Sequence, residues 1–340
     1  MPSLLDEIHE QTAVVARLLD RQAHPVQALA KAIVERQPRA LVLVARGSSD
    51  NAAVYGKYLF EICNRRLTAL AAPSGLTLYG SGPRLDDTAV IGVSQSGQGE
   101  DVVEYLRAAR AHGATTVAIV NDETSPLASS AEWVLGCLAG PELSVPATKT
   151  VTAQMTLLAM LSVALSGDAQ PLMGLPAAIE QALALRLAAG RVTERLTNTT
   201  AGSVIGRGFA FPPALEIALK LKETSYTHAE PFSAADFAHG PVALVERGYA
   251  AIVLDCGGRS SGAAVATAHE VKQRGGQIVF LRAGHVRPMD DGVALQAPVD
   301  EPFAPILLVV LGQLLAVELA TARGLDPAQP RGLRKVTSTR

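Results

Sequence analysis

The run ALEIALKLKETSYTHAEPFSAADFAHGPVAL, from Ala214 to Leu244, gathers Lys220, Lys222, Glu223, His228, Glu230 and His239 in a chain with only 18% charged residues. A carboxylate beside ammonium groups, with a histidine nearby, is suited to moving protons on a polar substrate. A helix is the element that would hold the first part, since Leu215, Ala218, Leu219 and Lys222 share one face at 3.6-residue spacing. On it Lys220 and Glu223 are i,i+3 neighbours able to touch. After Tyr226 the apolar period fades, and His239-Gly240-Pro241 reads as a turn that sets a histidine at a loop mouth. A solvated helix face followed by a surface histidine fits the same residues.

Two serine-bearing loops form the second group. Ala40 to Ala45 is a continuous apolar run ending in Arg46-Gly47-Ser48-Ser49, the pattern of a buried parallel strand opening into a loop. Strand Ala89 to Val93 closes on Ser94-Gln95-Ser96-Gly97-Gln98-Gly99. Hydroxyls and backbone N–H groups at a helix start, with glycine allowing close approach, suit a dianionic phosphate. Helix capping by Ser and Asn accounts for one such loop equally well. Two in one sheet favour a ligand, because open parallel sheets collect ligands at their strand carboxyl ends.

The elements needed to position these groups alternate along the chain. An amphipathic amino-terminal helix and a short one from Pro25 to Glu35 precede the first strand. Helices at 51–62 and 100–112, strands at 116–120 and 133–135, and a long apolar helix capped by Thr148 follow. Strand–helix alternation implies a parallel sheet covered on both faces. The second half repeats the first: Gly208 lies 161 positions after Gly47 and Ile252 161 after Ile91, with Gln277 to Leu281 set against Thr116 to Val120. A near-constant offset over three strands implies a duplicated α/β unit. The Ala-rich stretch 172–195 reads as a connector, and the ending GLDPAQPRGLRKVTSTR as a polar tail able to carry Lys335 over a pocket.

Composition narrows the function classes. With 340 residues, 48% hydrophobic, the chain has room for about two domains and no disorder signature. A net charge of −2 without a basic run argues against nucleic acid. Three separated cysteines give neither a disulfide framework nor zinc spacing, which suits a reducing cytoplasm. Asp6, Glu7 and Glu10 stand where an export signal needs basic and then apolar residues. The long apolar segments 151–165 and 303–320 hold polar residues and read as core or interface helices rather than membrane spans. Gly206-x-Gly208 lacks the third glycine of a dinucleotide fingerprint, and no phosphate-binding GxxxxGK[ST] loop exists. No metal-ligand spacing occurs, so no metal and no cofactor are expected.

These residues resemble the tandem sugar-isomerase (SIS) domain proteins, in particular the isomerase half of glucosamine-6-phosphate synthase, over nearly the whole chain. Four motifs carry the resemblance: GSS at 47–49, SQSG at 94–97, ALKLKE…HAE…HGP between Ala218 and Pro241, and PRGLRK at 330–335. It implies an α/β fold of two three-layer SIS-type units at 37–166 and 198–322, each a five-stranded parallel sheet flanked by helices. Helices at 1–36, a connector at 167–197 and a tail at 323–340 complete the implied organisation.

By the same resemblance Ser48, Ser49, Ser94, Gln95 and Ser96 hold the sugar phosphate, with Gly99, Val145 and Ala147 lining the pocket. Glu223 shuttles a proton between C1 and C2, and His239 opens the ring from the other subunit of a homodimer. Lys335 meets the open-chain carbonyl and Lys220 lines the site. Gly99 stands where the synthase has a phosphate-binding Thr, and Pro146-Ala147 replaces Ala-Ser, so two pocket hydroxyls are gone. The chain starts Met1-Pro2-Ser3 without a glutaminase half, and its ending GLDP…PR…KVT.TR is similar to SIS-type glucosamine-6-phosphate deaminases. The expectation is therefore deamination of D-glucosamine 6-phosphate to D-fructose 6-phosphate and ammonia in the cytoplasm, with neither nucleic acid nor membrane as a partner. A fructosamine-6-phosphate deglycase, another ketose/aldose phosphosugar isomerase, and a non-catalytic sugar-phosphate sensor are the alternatives.

Overall fold

A computed structural model of the chain describes residues 3–167, 172–287 and 291–335. Helices α1 (Leu4–His9), α2 (Gln11–Arg21) and α3 (Ala23–Arg36) come first. The first repeat then runs β1 (Ala40–Val44), α4 (Ser48–Ile62), β2 (Thr68–Leu70), α5 (Ser74–Thr77), β3 (Thr88–Ser94), α6 (Glu100–Ala111), β4 (Thr115–Val120), α7 (Pro126–Ser130), β5 (Trp133–Gly136) and α8 (Lys149–Ser166). Helices α9 (Leu175–Ala184) and α10 (Arg186–Thr193) connect it to the second. That repeat runs β6 (Ala201–Gly206), α11 (Phe211–Ser225), β7 (His228–Ser233), α12 (Ala234–Ala238), β8 (Ala250–Asp255), α13 (Ser261–Gln273), β9 (Gln277–Gly284), β10 (Gly292–Gln296) and α14 (Ala304–Ala322).

Both sheets are five-stranded and wholly parallel, ordered β2-β1-β3-β4-β5 and β7-β6-β8-β9-β10. Within each repeat that order is 2-1-3-4-5. The duplication extends to register: Leu43 pairs with Ile91 and, 161 positions on, Val204 with Ile252. Leu41 with Thr68 likewise becomes Gly202 with Ala229. At the fourth strand the offset grows by one. Ala89 pairs with Thr115 and Ala250 with Gln277, so Gln277 corresponds to Thr115 rather than Thr116.

The inner strands are continuous apolar runs because helices cover both of their faces. Val44, Val90 and Val120 pack with Leu106 and Leu127 in the first core. Ile205, Val253 and Phe280 pack with Phe237 and Val271 in the second. The amino-terminal segment is not one helix: Ser3 and Asp6 form a capping box on α1, which ends at Glu10 before α2 begins. By packing, Ala13–Glu142, Lys149–Pro171 and the chain from Arg334 make one compact unit around the first sheet. Met1–Thr12, Leu143–Thr148 and Leu172–Leu333 make the other around the second.

Candidate active site

In the first-sheet unit, the two serine loops leave the carboxyl ends of β1 and β3, which are paired neighbours. Here the strand order reverses direction, the place where sheets of this order bind ligands. Helix α4 starts at Ser48, three residues before the expected start, so Ser48 and Ser49 lie in its first turn. Gly47, at φ 58°, makes the sharp entry that an L side chain would resist. Ser49 is 8% exposed and its hydroxyl oxygen accepts from Gln154 Nε2 at 3.0 Å.

In the second loop Ser94 Oγ accepts the Gly97 N–H at 3.0 Å and Ser96 Oγ the Gln98 N–H at 3.3 Å, while Gln95 O accepts from Asn121 N at 3.2 Å. Gly99 is the N-cap of α6 and offers no side-chain cap. Two helix starts therefore bring hydroxyls and first-turn backbone N–H groups to the strand ends, the donor types a phosphoryl group needs. Arg46 supplies positive charge beside them, its Nε 2.6 Å from buried Asp101. Burial pushes the neighbouring Asp50 carboxyl up, and the charge of Arg46 partly offsets this.

In the second-sheet unit the expected catalytic helix exists as α11. Pro212 and Pro213 occupy its first turn, where their missing N–H groups cost nothing. Gly206, at the end of β6, lets that turn approach: a Cβ there would fall 2.0 Å from Ala210 O. This accounts for the first glycine of Gly206-x-Gly208 without a nucleotide. The buried face differs from the one expected. Ala214, Ile217, Ala218 and Leu221 face the core, whereas Leu215 and Leu219 are half-buried and Lys222 is exposed.

A polar row runs beside that core face. Lys220 is 2% exposed, with its Nζ donating to Glu223 Oε2 at 2.5 Å and lying 3.5 Å from Glu216 Oε1. Glu216 is equally buried, while the Glu223 side chain is 19% exposed. Among the described residues Glu223 Oε1 accepts no hydrogen bond, so one carboxylate oxygen is held and the other is available. Arg323 fixes the end of the helix by donating to Ser225 O, Thr227 Oγ1 and the carbonyls of Leu196, Thr197 and Thr199. Tyr226 caps α11 at φ 55°, and its hydroxyl accepts the Arg331 N–H at 3.0 Å while the Arg331 guanidinium stacks 4.2 Å from its ring.

The remaining expected residues are placed as follows. Where the apolar period fades after Tyr226 the chain forms edge strand β7, on which His228 and Glu230 lie exposed. His239 is the exposed C-cap of α12, and its ring makes no hydrogen bond among the described residues. Val145 and Ala147 are half-buried, and Val145 donates its N–H to Ala328 O of the tail at 3.0 Å. In the first-sheet unit Lys335 Nζ donates to Glu142 Oε2 at 2.8 Å. The Glu142 side chain is fully buried and also accepts from Thr150 N at 3.1 Å and Thr150 Oγ1 at 2.7 Å. The end of the motif KVT.TR, at 336–340, lies outside the described residues. Glu216 and Glu142, the buried carboxylates beside Lys220 and Lys335, are not among the residues expected from the sequence.

The comparisons agree with this architecture. The SIS domain model matches twice, over residues 36–164 and 203–323, and the chain belongs to the SIS domain family. It is 36% identical to the glutamine–fructose-6-phosphate aminotransferase [isomerizing] of Thermococcus kodakarensis across 98% of this chain and 57% of that protein. It thus spans little more than half the length of that curated relative. Among solved structures, a candidate phosphosugar isomerase from Silicibacter pomeroyi superposes with a TM-score of 0.84 at 31% identity, covering 95% of this chain and 99% of the other. Glucosamine-6-phosphate deaminase from Thermotoga maritima shares the fold, with a TM-score of 0.81 at 20% identity and 99% of both chains covered.

Proposed function

We propose that the chain is a phosphosugar isomerase working on an amino sugar phosphate, and that it deaminates D-glucosamine 6-phosphate. The curated relative is named for an isomerising amino transfer to fructose 6-phosphate. The same sugar chemistry run backwards releases ammonia. The observation that carries the reading is Glu223, half held by a buried lysine at 2.5 Å and otherwise available, on a helix of the second-sheet unit. In the open-chain substrate Glu223 removes the C2 proton and, after its carboxyl exchanges with solvent, delivers a proton to C1, leaving an imine at C2. Water adds to that imine, and its C–N bond breaks to give the ketone of fructose 6-phosphate and ammonia. Positive charge from lysine steadies the oxyanion that forms between the two proton transfers.

The serine loops at 48–49 and 94–96 take the phosphate in this scheme. Gly99, Val145 and Ala147 line the sugar, Lys335 meets the carbonyl and Lys220 orients Glu223. The active form is a homodimer in which the partner supplies the ring-opening histidine at position 239. Purified protein given glucosamine 6-phosphate should release ammonia and fructose 6-phosphate in equal amounts. Amino acid released from a fructosamine 6-phosphate conjugate, with no ammonia from the amino sugar, would move the assignment to a deglycase. In the same assay, mixed E223Q and H239N subunits should regain turnover that neither variant has alone. No recovery after subunit exchange is confirmed would end the shared-site proposal.

A further inference from the structure

The second sheet repeats the strand-end loops of the first, and one of its loops is already filled. Strand β3 ends at Ser94 and β8 at Asp255, 161 positions later. Across the next strand Ser94 pairs with Val120, and Asp255 with Arg282. Each loop then turns at a left-handed glycine pressed against the segment after that next strand. Gly97 (φ 64°) lies against Ser125, and Gly257 (φ 70°) against the His285 backbone. Each loop opens a helix, α6 and α13.

The contents of the two loops differ. Ser94 is a neutral hydroxyl accepting the Gly97 N–H, whereas Asp255 is a buried carboxylate. Its Oδ1 accepts from Gly257 N at 2.8 Å and Ser261 Oγ at 2.6 Å, and its Oδ2 from Arg282 Nη2 and Nε at 2.6 and 2.9 Å. The arginine balances that charge. The donors next in line are taken by Glu301. Arg259 N donates to its Oε2 at 2.9 Å, and Ser260 N and Oγ donate to its Oε1 at 3.3 and 2.9 Å.

A two-oxygen anion is thus seated on two backbone N–H groups and a hydroxyl where a thirteen-residue helix begins. That is how loops of this kind hold a phosphoryl group. Gly258 leaves the room for it, since a Cβ there would fall 2.1 Å from Glu301 Cδ. Glu301 comes from the segment between β10 and α14. The matching segment of the first repeat, between β5 and α8, carries Glu142, whose carboxylate turns instead to Thr150 and Lys335. The same acid recurs in both repeats with different donors.

We propose that Glu301 is a built-in substitute for phosphate that keeps the second repeat's loop closed to phosphoryl ligands. The chain therefore takes one such ligand, at the serine loops of the first repeat. This rests on the proposed function only for the first-repeat site; the closure by Glu301 stands apart from it.

Titration of the full chain with inorganic phosphate, followed by calorimetry, tests the closure. Wild-type protein should bind one phosphate per chain, and Glu301→Ala two. The smaller change Glu301→Ser provides a second folded variant, with circular dichroism checking both. A phosphate-induced rise in melting temperature larger in the variants than in the wild type reads the same gain. A folded variant that binds no more phosphate than the wild type overturns the proposal, as does a wild-type chain that already binds two. If the wild type binds none while the variants bind one, the closure by Glu301 stands and the first-repeat phosphate site fails.

Discussion

Glu216, Lys220 and Glu223 occupy successive turns of one helix, and the lysine between the acids is as buried as an apolar side chain. Its ammonium offsets two carboxylates at once. Lys220→Met preserves length and apolar packing but takes that ammonium away from the Glu216 carboxylate. Breaking a buried pair from one side costs about 3–5 kcal/mol. Urea denaturation at neutral pH should show a loss of that size, and a loss under about 1 kcal/mol would mean the row is not electrostatically coupled. The Lys220–Glu223 contact was legible from i,i+3 spacing alone. Glu216 carried the matching i,i+4 signal but stands within LEIAL, where an acid reads as a break in the apolar face. Glu142 and Lys335 are 193 positions apart, and no local pattern reports such a pair.

At the scale of elements, legibility followed burial. Strands β1, β3, β4 and β8 are readable as apolar runs because nearly every residue in them is buried. Strands β2 and β7 lie at sheet edges and expose much of their length, so neither periodicity nor a continuous run marks them. At the other edge of the second sheet β10 buries only Val293 and Leu295, with the same result, whereas edge strand β5 is legible at Trp133 to Leu135. Helix α11 is legible in the sequence but its core face is not, because Leu215 and Leu219 are apolar without being deeply buried. Its placement depends on Gly206. Substituting Gly206→Ala puts a methyl 2.0 Å from Ala210 O and 2.9 Å from Phe211 N, which are backbone atoms unable to rotate away. Overpacking of this kind costs about 1–3 kcal/mol and should displace the start of α11. Thermal melting of the variant checks this, and an unchanged midpoint would show that the turn yields freely.

For the whole molecule, the duplication was readable from a constant offset, and the register of both sheets carries the same 161-residue step through three strands. Helices α8 and α14 are long and apolar enough to cross a membrane, yet 78% of α8 and 89% of the apolar 18-residue window of α14 are buried, as core helices are. The two repeats carry different polar groups: serine loops after β1 and β3 in one, the Glu216–Lys220–Glu223 row on α11 in the other. The proposed reaction depends most on Glu223 carrying a proton between adjacent sugar carbons. Turnover of glucosamine 6-phosphate in deuterium oxide, followed by NMR at C1 of the fructose 6-phosphate formed, measures that transfer directly. Wild-type protein should place solvent deuterium at C1, and E223Q should place none while still binding the phosphosugar. Deuterium arriving at C1 at the wild-type rate in E223Q would contradict the assignment of the base.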